Sequence, residues 1–167
     1  MERPARLRRS GSGTARRPAS AGAGGSAAAA YAAAICGVAL AAAVFLPWYA
    51  TNLGAPFTTG AASGWEWTGL ARIALALAVL AAGASAALVL RDRGTITMEP
   101  EIAVALGWAT VGAHAAAFAL VAYRVLVLPE PADLLSRELG LYVALLAAFA
   151  GAVAGAVQLS SRDPATG

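Results

Sequence analysis

Lysine is absent from this chain of 167 residues, and cysteine and histidine each occur once. The lone Cys36 excludes an intramolecular disulfide, and no second soft ligand is present to complete a thiolate metal site with it. A phosphate-binding loop, a dinucleotide-binding glycine fingerprint and the common hydrolase motifs are also missing. The sequence therefore predicts a protein that is not an enzyme, with no catalytic residues, no metal site and no cofactor.

Charge is scarce as well, which leaves long apolar segments uninterrupted. Charged residues make up 13% of the chain, hydrophobic residues make up 59%, and the mean hydropathy is +0.67. Four nearly uncharged segments reach the roughly 20 residues that cross a hydrocarbon core about 30 Å thick. These segments are 26–46, 70–90, 102–128 and 140–159. We therefore predict an all-α fold, a four-helix transmembrane bundle over residues 26–160 with short loops.

The position of the arginines predicts the orientation of the bundle. All twelve basic residues are arginines, and nine of them lie before the first segment, between the second and third, or after the fourth. Because basic residues next to membrane spans stay in the cytoplasm, we expect both termini on the cytoplasmic side of a plasma (inner) membrane.

The two ends of the chain are predicted to lie outside the membrane domain. Residues 1–25 are rich in Arg, Ser, Gly, Ala and Pro, a composition typical of a disordered tail, and residues 161–167 form a short C-terminal tail. Each arginine near the surface of an anionic leaflet contributes about 1 kcal/mol to lipid attraction. We therefore expect the N-terminal tail to bind anionic lipid. The sequence pI of about 9.6 comes largely from this tail, so we do not take it as a sign of nucleic acid binding.

Tryptophan is concentrated in the segment between the first two helices. Three of the four tryptophans lie there, and with one tyrosine they form a set that we name the aromatic loop residues: Trp48, Tyr49, Trp65 and Trp67. Amphipathic rings prefer the depth of the headgroups, which predicts an interfacial belt; the alternative is a lid with an aromatic patch that binds lipid or a partner. Gly and Pro between these residues predict turns and at most a short hairpin.

Four polar residues in or near the spans are candidate functional residues. His114 lies near the middle of the third segment, one helical turn after Thr110. An ionisable group at that depth is costly to place and is a functional candidate by default, although a neutral imidazole bonded to a hydroxyl or a carbonyl is a structural alternative. Arg72 and Arg124 lie near helix ends, where they either reach the headgroups or pair with a nearby carboxylate (Glu66, Glu130 or Asp133). The alternative is an anion or lipid-headgroup site.

Three further positions carry expectations about packing. Gly151 and Gly155 are four residues apart in the fourth segment, a spacing that lets two helices approach closely, within the bundle or in a homodimer. Trp108 lies deeper than a belt residue, so we expect it to pack between helices. Gln158 lies near the end of the fourth segment, where we expect water to be close.

Two short motifs carry a resemblance to known proteins. Leu46-Pro47-Trp48-Tyr49 ends the first segment, and Gly64-Trp65 precedes the second. With the basic tail and the four spans, these motifs resemble the small, mostly uncharacterised four-helix membrane proteins of actinobacteria, a resemblance that implies no particular activity. The layout is also similar to that of claudin-like proteins, but the paired cysteines of their longer first loop are absent.

These observations predict a non-enzymatic, multi-pass membrane protein. We expect an accessory or scaffold subunit that docks to a membrane partner. The alternative is a small transporter or channel subunit that acts as an oligomer, with a path near His114 and Thr110. The predicted partners are the lipid bilayer and either a membrane protein or further copies of this chain, with no nucleic acid.

Overall fold

The computed structural model describes residues 21–51, 60–130 and 132–161, and the side chains from residue 25 onward. The predicted tail therefore falls mostly outside the described residues, as do residues 162–167 of the predicted C-terminal tail. Residues 21–25 of the predicted tail belong to the first helix, which extends further toward the N-terminus than we expected.

Four long helices confirm the predicted bundle. They are α1 (Ala21–Ala43), α3 (Gly69–Asp92), α4 (Pro100–Leu126) and α5 (Leu139–Ser160), and each is long and apolar enough to cross a membrane. A single helical turn, α2 (Gly64–Trp67), precedes α3. The chain is therefore a four-helix transmembrane bundle in which every span satisfies its backbone hydrogen bonds internally, as hydrocarbon requires.

Each long helix packs against two others, so the bundle is a closed ring in the order α1, α3, α4, α5. Neighbours in this ring run antiparallel. The buried face of α3 shows how little side-chain volume separates the helices, because five of its eight buried residues are alanines: Ala71, Ala74, Ala78, Ala81 and Ala84. Small residues allow the backbones to approach closely, which is the main source of helix association in lipid.

A small β-sheet covers one end of this ring, and we call this end the sheet end. The sheet consists of β1 (Pro47–Thr51), β2 (Ala61–Ser63) and β3 (Leu135–Arg137), with β1 in the centre and both pairings antiparallel. A 3₁₀ turn at Ala132–Leu134 precedes β3. Our prediction of turns and at most a short hairpin was incomplete, because β1 pairs with a strand from the distant connection between α4 and α5.

The entry into β1 also corrects the end of the first helix. α1 ends at Ala43, three residues before the predicted Leu46, and a turn through Val44–Leu46 leads into β1. Pro47 has no N–H and cannot continue a helix, and the strand requires an extended backbone from this residue onward. At the opposite end of the bundle, α3 continues two residues beyond the predicted position 90 to Asp92, and Gly94 at a φ of 71° closes a Schellman turn.

A bulge in β1 explains how two consecutive aromatic side chains are both buried. Pro47 pairs with Ser63 and Tyr49 pairs with Ala62, so Trp48 is an extra residue between the two pairs. In a regular strand, neighbouring side chains point to opposite faces, whereas a bulge redirects one of them. Trp48 is 1% exposed and Tyr49 is 0% exposed, so the bulge places both rings in the core.

The contact between α1 and α3 predicts opposite outcomes for two glycine substitutions. A Cβ at Gly37 would lie 2.9 Å from the Cβ of Ala82 and 3.1 Å from the carbonyl oxygen of Ala78, whereas a Cβ at Gly112 meets no atom within 4 Å. Because overpacking costs about 1–3 kcal/mol, we expect Gly37→Ala to lower the thermal midpoint of the detergent-solubilised protein. Gly112→Ala should leave it unchanged or raise it, since alanine favours helix by about 1 kcal/mol over glycine.

Equal shifts in both variants would contradict the close packing of α1 on α3. The matched substitutions add the same methyl group, so they differ only in what that group meets.

Candidate functional site

Three polar side chains from two helices meet inside the bundle. The Thr110 hydroxyl donates to the carbonyl oxygen of Leu106 at 3.0 Å and lies 3.3 Å from the hydroxyl of Ser85. Because the single Thr110 hydrogen is already donated, Ser85 is the donor in that second bond. His114 Nδ1 lies 3.0 Å from the carbonyl oxygen of Thr110. A carbonyl oxygen only accepts, so Nδ1 carries the hydrogen and Nε2 of the neutral ring is an acceptor.

The two glycines of α5 lie against this polar group. A Cβ at Gly151 would collide with Cδ2 and Nε2 of the His114 ring, and a Cβ at Gly155 would lie 3.2 Å from the Cγ2 of Thr110 and 3.1 Å from that of Val111. Both glycines are buried. Gly151 and Gly155 therefore lie at the contact between α4 and α5, where the first of them makes room for the imidazole.

Gln158 corrects our expectation that its side chain is close to water. It is fully buried, and both atoms of its amide group lack a hydrogen-bond partner among the described residues. Nε2 of His114 is likewise buried without a hydrogen-bond partner among the described residues. Buried polar groups are normally hydrogen-bonded, so these two side chains make the bundle interior chemically distinct from its alanine-rich surroundings.

Ser85 is the member of this group that we did not single out. A signal for it exists in the sequence, because Ser85 shares a helical face with the buried residues Ala78, Ala81 and Leu88. In a chain so rich in alanine, however, a second face of α3 has nearly the same hydrophobicity, so the pattern alone does not show which face is buried.

The packing of the imidazole on Gly151 predicts an energetic coupling between the two positions. Gly151→Ala should destabilise the protein by about 2 kcal/mol, because the new methyl group overlaps the ring. In a His114→Ala background, the same change should cost less than about 0.5 kcal/mol, since the ring is gone. Unfolding of the four proteins of this cycle in mixed detergent micelles measures the difference.

A cost for Gly151→Ala that is the same with and without the His114 ring would contradict this coupling. Gly155→Ala serves as the control, because its Cβ faces Thr110 and Val111 and its cost should not depend on residue 114.

The aromatic loop residues divide into two pairs, which corrects the predicted interfacial belt. Trp48 and Tyr49 are buried beneath the sheet, and the indole Nε1 of Trp48 donates to the carbonyl oxygen of Ala43 at 2.8 Å. Trp65 is 40% exposed, and Trp67 packs partly buried against the core with its ring 6.0 Å from that of Tyr49. Only the second pair retains the partial exposure that a belt residue needs.

The two motifs that carry the family resemblance meet at the sheet end. A Cβ at Gly64 would lie 2.6 Å from the indole ring of Trp48, so the glycine allows α2 to begin directly against that ring. The N–H of Trp65 donates to the carbonyl oxygen of Val44 at 3.1 Å. Residues 46–49 and 64–65 therefore form one junction between the end of α1 and the start of α2.

A second glycine completes this junction from α5. A Cβ at Gly140 would lie 2.7 Å from the Cβ of Leu46. Two residues earlier, just before α5 begins, the N–H of Glu138 donates to the carbonyl oxygen of Trp48 at 2.9 Å. The start of α5 therefore packs on residues 46–48 of the first motif.

Arg72 lies at the sheet end beside Trp65. Its Cζ is 4.9 Å from the centre of the Trp65 ring, a distance typical of a cation–π contact. The Phe45 ring also packs on Trp65, with 6.0 Å between the two ring centres. At the start of α2, the backbone N–H and the hydroxyl group of Ser63 both donate to the carboxylate of Glu66 at 3.0 Å. These bonds stabilise the carboxylate and lower the pKa of Glu66.

Arg124 lies at the same end of the bundle on α4, and Arg137 of β3 bonds to the backbone of the next residue of that helix. Arg137 Nε donates to the carbonyl oxygen of Val125 at 2.7 Å, and the Tyr49 hydroxyl donates to that of Arg124 at 3.4 Å. Burial raises the pKa of Tyr49, while the charges of Arg124 and Arg137 lower it. The two guanidinium groups therefore share one neighbour, the phenol of Tyr49, whereas no described contact links Arg72 to them.

Trp108 lies on the outside of the bundle, contrary to our expectation that it packs between helices. It is 63% exposed, so its ring faces the surrounding lipid. The buried face of α4 is occupied by smaller residues, among them Ala103, Gly107 and Thr110. A tryptophan on that face would force the neighbouring helices apart.

The indole of Trp48 predicts the effect of removing its hydrogen bond. Trp48→Phe leaves the carbonyl group of Ala43 without this donor and reduces the buried ring area, so we expect a loss of about 1–3 kcal/mol in the free energy of unfolding. Trp65→Phe is the matched control, since this ring is partly exposed and its indole donates no hydrogen bond that the structure shows. A loss in the control as large as that in Trp48→Phe would contradict the assigned role.

The geometry defines a multi-pass α-helical membrane protein that carries a three-stranded sheet at one end. The chain matches no protein-family model, no curated protein and no solved structure at a significant level. Its class is therefore assigned from the fold, and its function has to be argued from the sheet end and the polar interior.

Proposed function

We propose that this protein is a non-enzymatic accessory or scaffold subunit that docks to a membrane partner through its sheet end. The observation that supports this most is the sheet itself, in which β1 is paired on both sides while β2 and β3 are edge strands. An edge strand presents N–H and C=O groups on which another chain can build a further strand. The junction at Trp48 holds these edges in a defined position on the bundle.

The proposal includes an orientation and a compartment. With nine of twelve arginines in the segments away from the sheet end, the positive-inside rule places both termini in the cytoplasm and the sheet on the outer face of a bacterial plasma membrane. The resemblance to actinobacterial four-helix proteins supports this compartment. Docking would then join this subunit to the exposed part of another membrane protein.

Site-specific photocrosslinking in cells tests the docking proposal. A benzophenone amino acid at position 134, in the turn that precedes β3, should yield a discrete crosslinked heteromer, because Leu134 is 39% exposed at the sheet end. The matched control replaces Val79, which is 60% exposed but lies within α3 on the lipid-facing surface. We expect the control to crosslink only lipid.

A discrete protein crosslink from position 79 with none from position 134 would contradict docking through the sheet end. Crosslinks from position 134 that contain only this chain would replace the heteromeric scaffold by a homo-oligomer.

A second candidate function is a small transporter or channel subunit with a path near His114. The observation that favours it is the buried polar group of Ser85, Thr110, His114 and Gln158, since polar side chains inside a membrane bundle are costly and often mark a pathway. Reconstituted protein should then carry ions or small solutes across liposomes, and His114→Leu should reduce the flux. Equal flux in protein-free and protein-containing liposomes would remove this candidate.

A further inference from the structure

Two arginines from separate elements converge at the sheet end of α4. Arg137 is the last residue of β3 and pairs across the sheet with Tyr49. Its Nε donates to the carbonyl oxygen of Val125, one residue after Arg124, and the Tyr49 hydroxyl donates to the carbonyl oxygen of Arg124. The hydrogen bond to Val125 uses one of the five N–H donors of Arg137 and fixes the position of its guanidinium plane beside the end of α4.

One donor of this arginine pair is buried without a hydrogen-bond partner among the described residues, while Arg124 Cζ lies 5.8 Å from the centre of the Tyr123 ring. Arg124 Nε is shielded from solvent and makes no hydrogen bond there. Among the described residues, no carboxylate forms an ion pair with either guanidinium group, for which the N–O distance would be 4.0 Å or less. Glu138, the acidic residue next to Arg137, instead accepts a hydrogen bond from Ser136 at 3.4 Å. A shielded cationic donor without a partner is costly, which points to a group that completes it.

The end of α4 explains part of this arrangement but does not neutralise it. A helix C-terminus carries roughly half a unit of negative charge, which favours cations in the last turn. Arg124 lies in that turn and Arg137 bonds one of its carbonyl groups, so two full positive charges face about half a negative one. Both charges also act on the buried Tyr49 phenol. Glu130, Asp133 and Glu138 belong to the same connection between α4 and α5, so the positive charge is local to the two guanidinium groups and is not a property of the whole sheet end.

We propose that Arg124 and Arg137 form a binding site for a phosphate-type anion at the sheet end of α4. The planar guanidinium group binds phosphate oxygens through two parallel N–H donors, and the outer N–H groups of Arg137 remain available after its bond to Val125. The same phosphate chemistry is offered by the headgroup of an anionic phospholipid and by a free phosphate ion.

Binding measurements on the full-length protein separate these two sources. In nanodiscs, native mass spectrometry compares retention of phosphatidylglycerol with that of phosphatidylcholine. In detergent, the thermal midpoint is followed with inorganic phosphate against chloride at equal ionic strength. For the double variant Arg124→Gln, Arg137→Gln, we expect the dissociation constant of the bound anion to rise about tenfold or more, because charge-assisted bonds are lost.

Arg72→Gln is the matched control, since it removes an arginine from the same end of the bundle that faces Trp65 and leaves the site intact. This control variant keeps the N-terminal arginines, so phosphatidylglycerol that binds to them is retained equally in the control and in the double variant. Selective loss of phosphatidylglycerol in the double variant assigns the site to a lipid headgroup, and selective loss of phosphate stabilisation assigns it to a soluble anion.

The proposal is overturned if the double variant and the control retain both anions equally. If the double variant does not fold, as judged by size-exclusion chromatography, Arg124→Gln alone carries the test. Unchanged binding of both anions in that single variant would also overturn the proposal.

Discussion

The hydrogen bond from the Trp48 indole to the carbonyl oxygen of Ala43 links the bundle to the sheet, and most of the sheet end depends on it. The bond gives a second donor to a carbonyl group in the last turn of α1, which also accepts from the N–H of Leu46 at 3.2 Å. The face of the same ring lies against Gly64, which sets the start of α2. The carbonyl group of Trp48 in turn accepts from Glu138, just before α5. One residue therefore contributes to the position of three helices.

The interior of the bundle follows a different constraint. Hydrocarbon supplies no hydrogen bonds, so the hydroxyl groups of Ser85 and Thr110 and the imidazole of His114 turn to one another and to backbone carbonyls of α4. The imidazole then needs space, which Gly151 provides on α5. The imidazole ring of α4 packed on the glycine of α5 makes the contact between these helices specific, which contacts between alanines alone would not.

The two ends of the bundle differ in charge and in structure. The sheet end has folded strands, aromatic rings and arginines that are held by neighbouring groups, such as Arg72 over Trp65 and Arg137 at the end of α4. The opposite end joins α3 to α4 through a short connection closed by Gly94. The edge strands of the sheet carry the proposed docking role, and the polar interior has a separate chemistry that this proposal does not use.

Much of the fold was predictable because lipid imposes simple rules on the chain. A span needs about 20 apolar residues, so hydropathy located four helices, and the described helix ends differ from the predicted ones by at most five residues. The exposure of individual residues was harder to predict. Hydropathy does not distinguish a lipid-facing side chain from a buried one, which is why Trp108 was placed inside and Gln158 near water, contrary to their observed burial.

The amino-acid sequence by itself determined the number of spans, their approximate limits and the positions of the rare polar residues along them, because these depend only on composition along a single helix. Only the tertiary structure decided which residues meet. The pairing of β1 with β3 joins segments more than 80 residues apart, and the bulge at Trp48 reverses the alternation that a strand pattern implies. Contacts such as that of His114 with Gly151 depend on the rotation of whole helices, and an alanine-rich surface offers no sequence signal for that rotation.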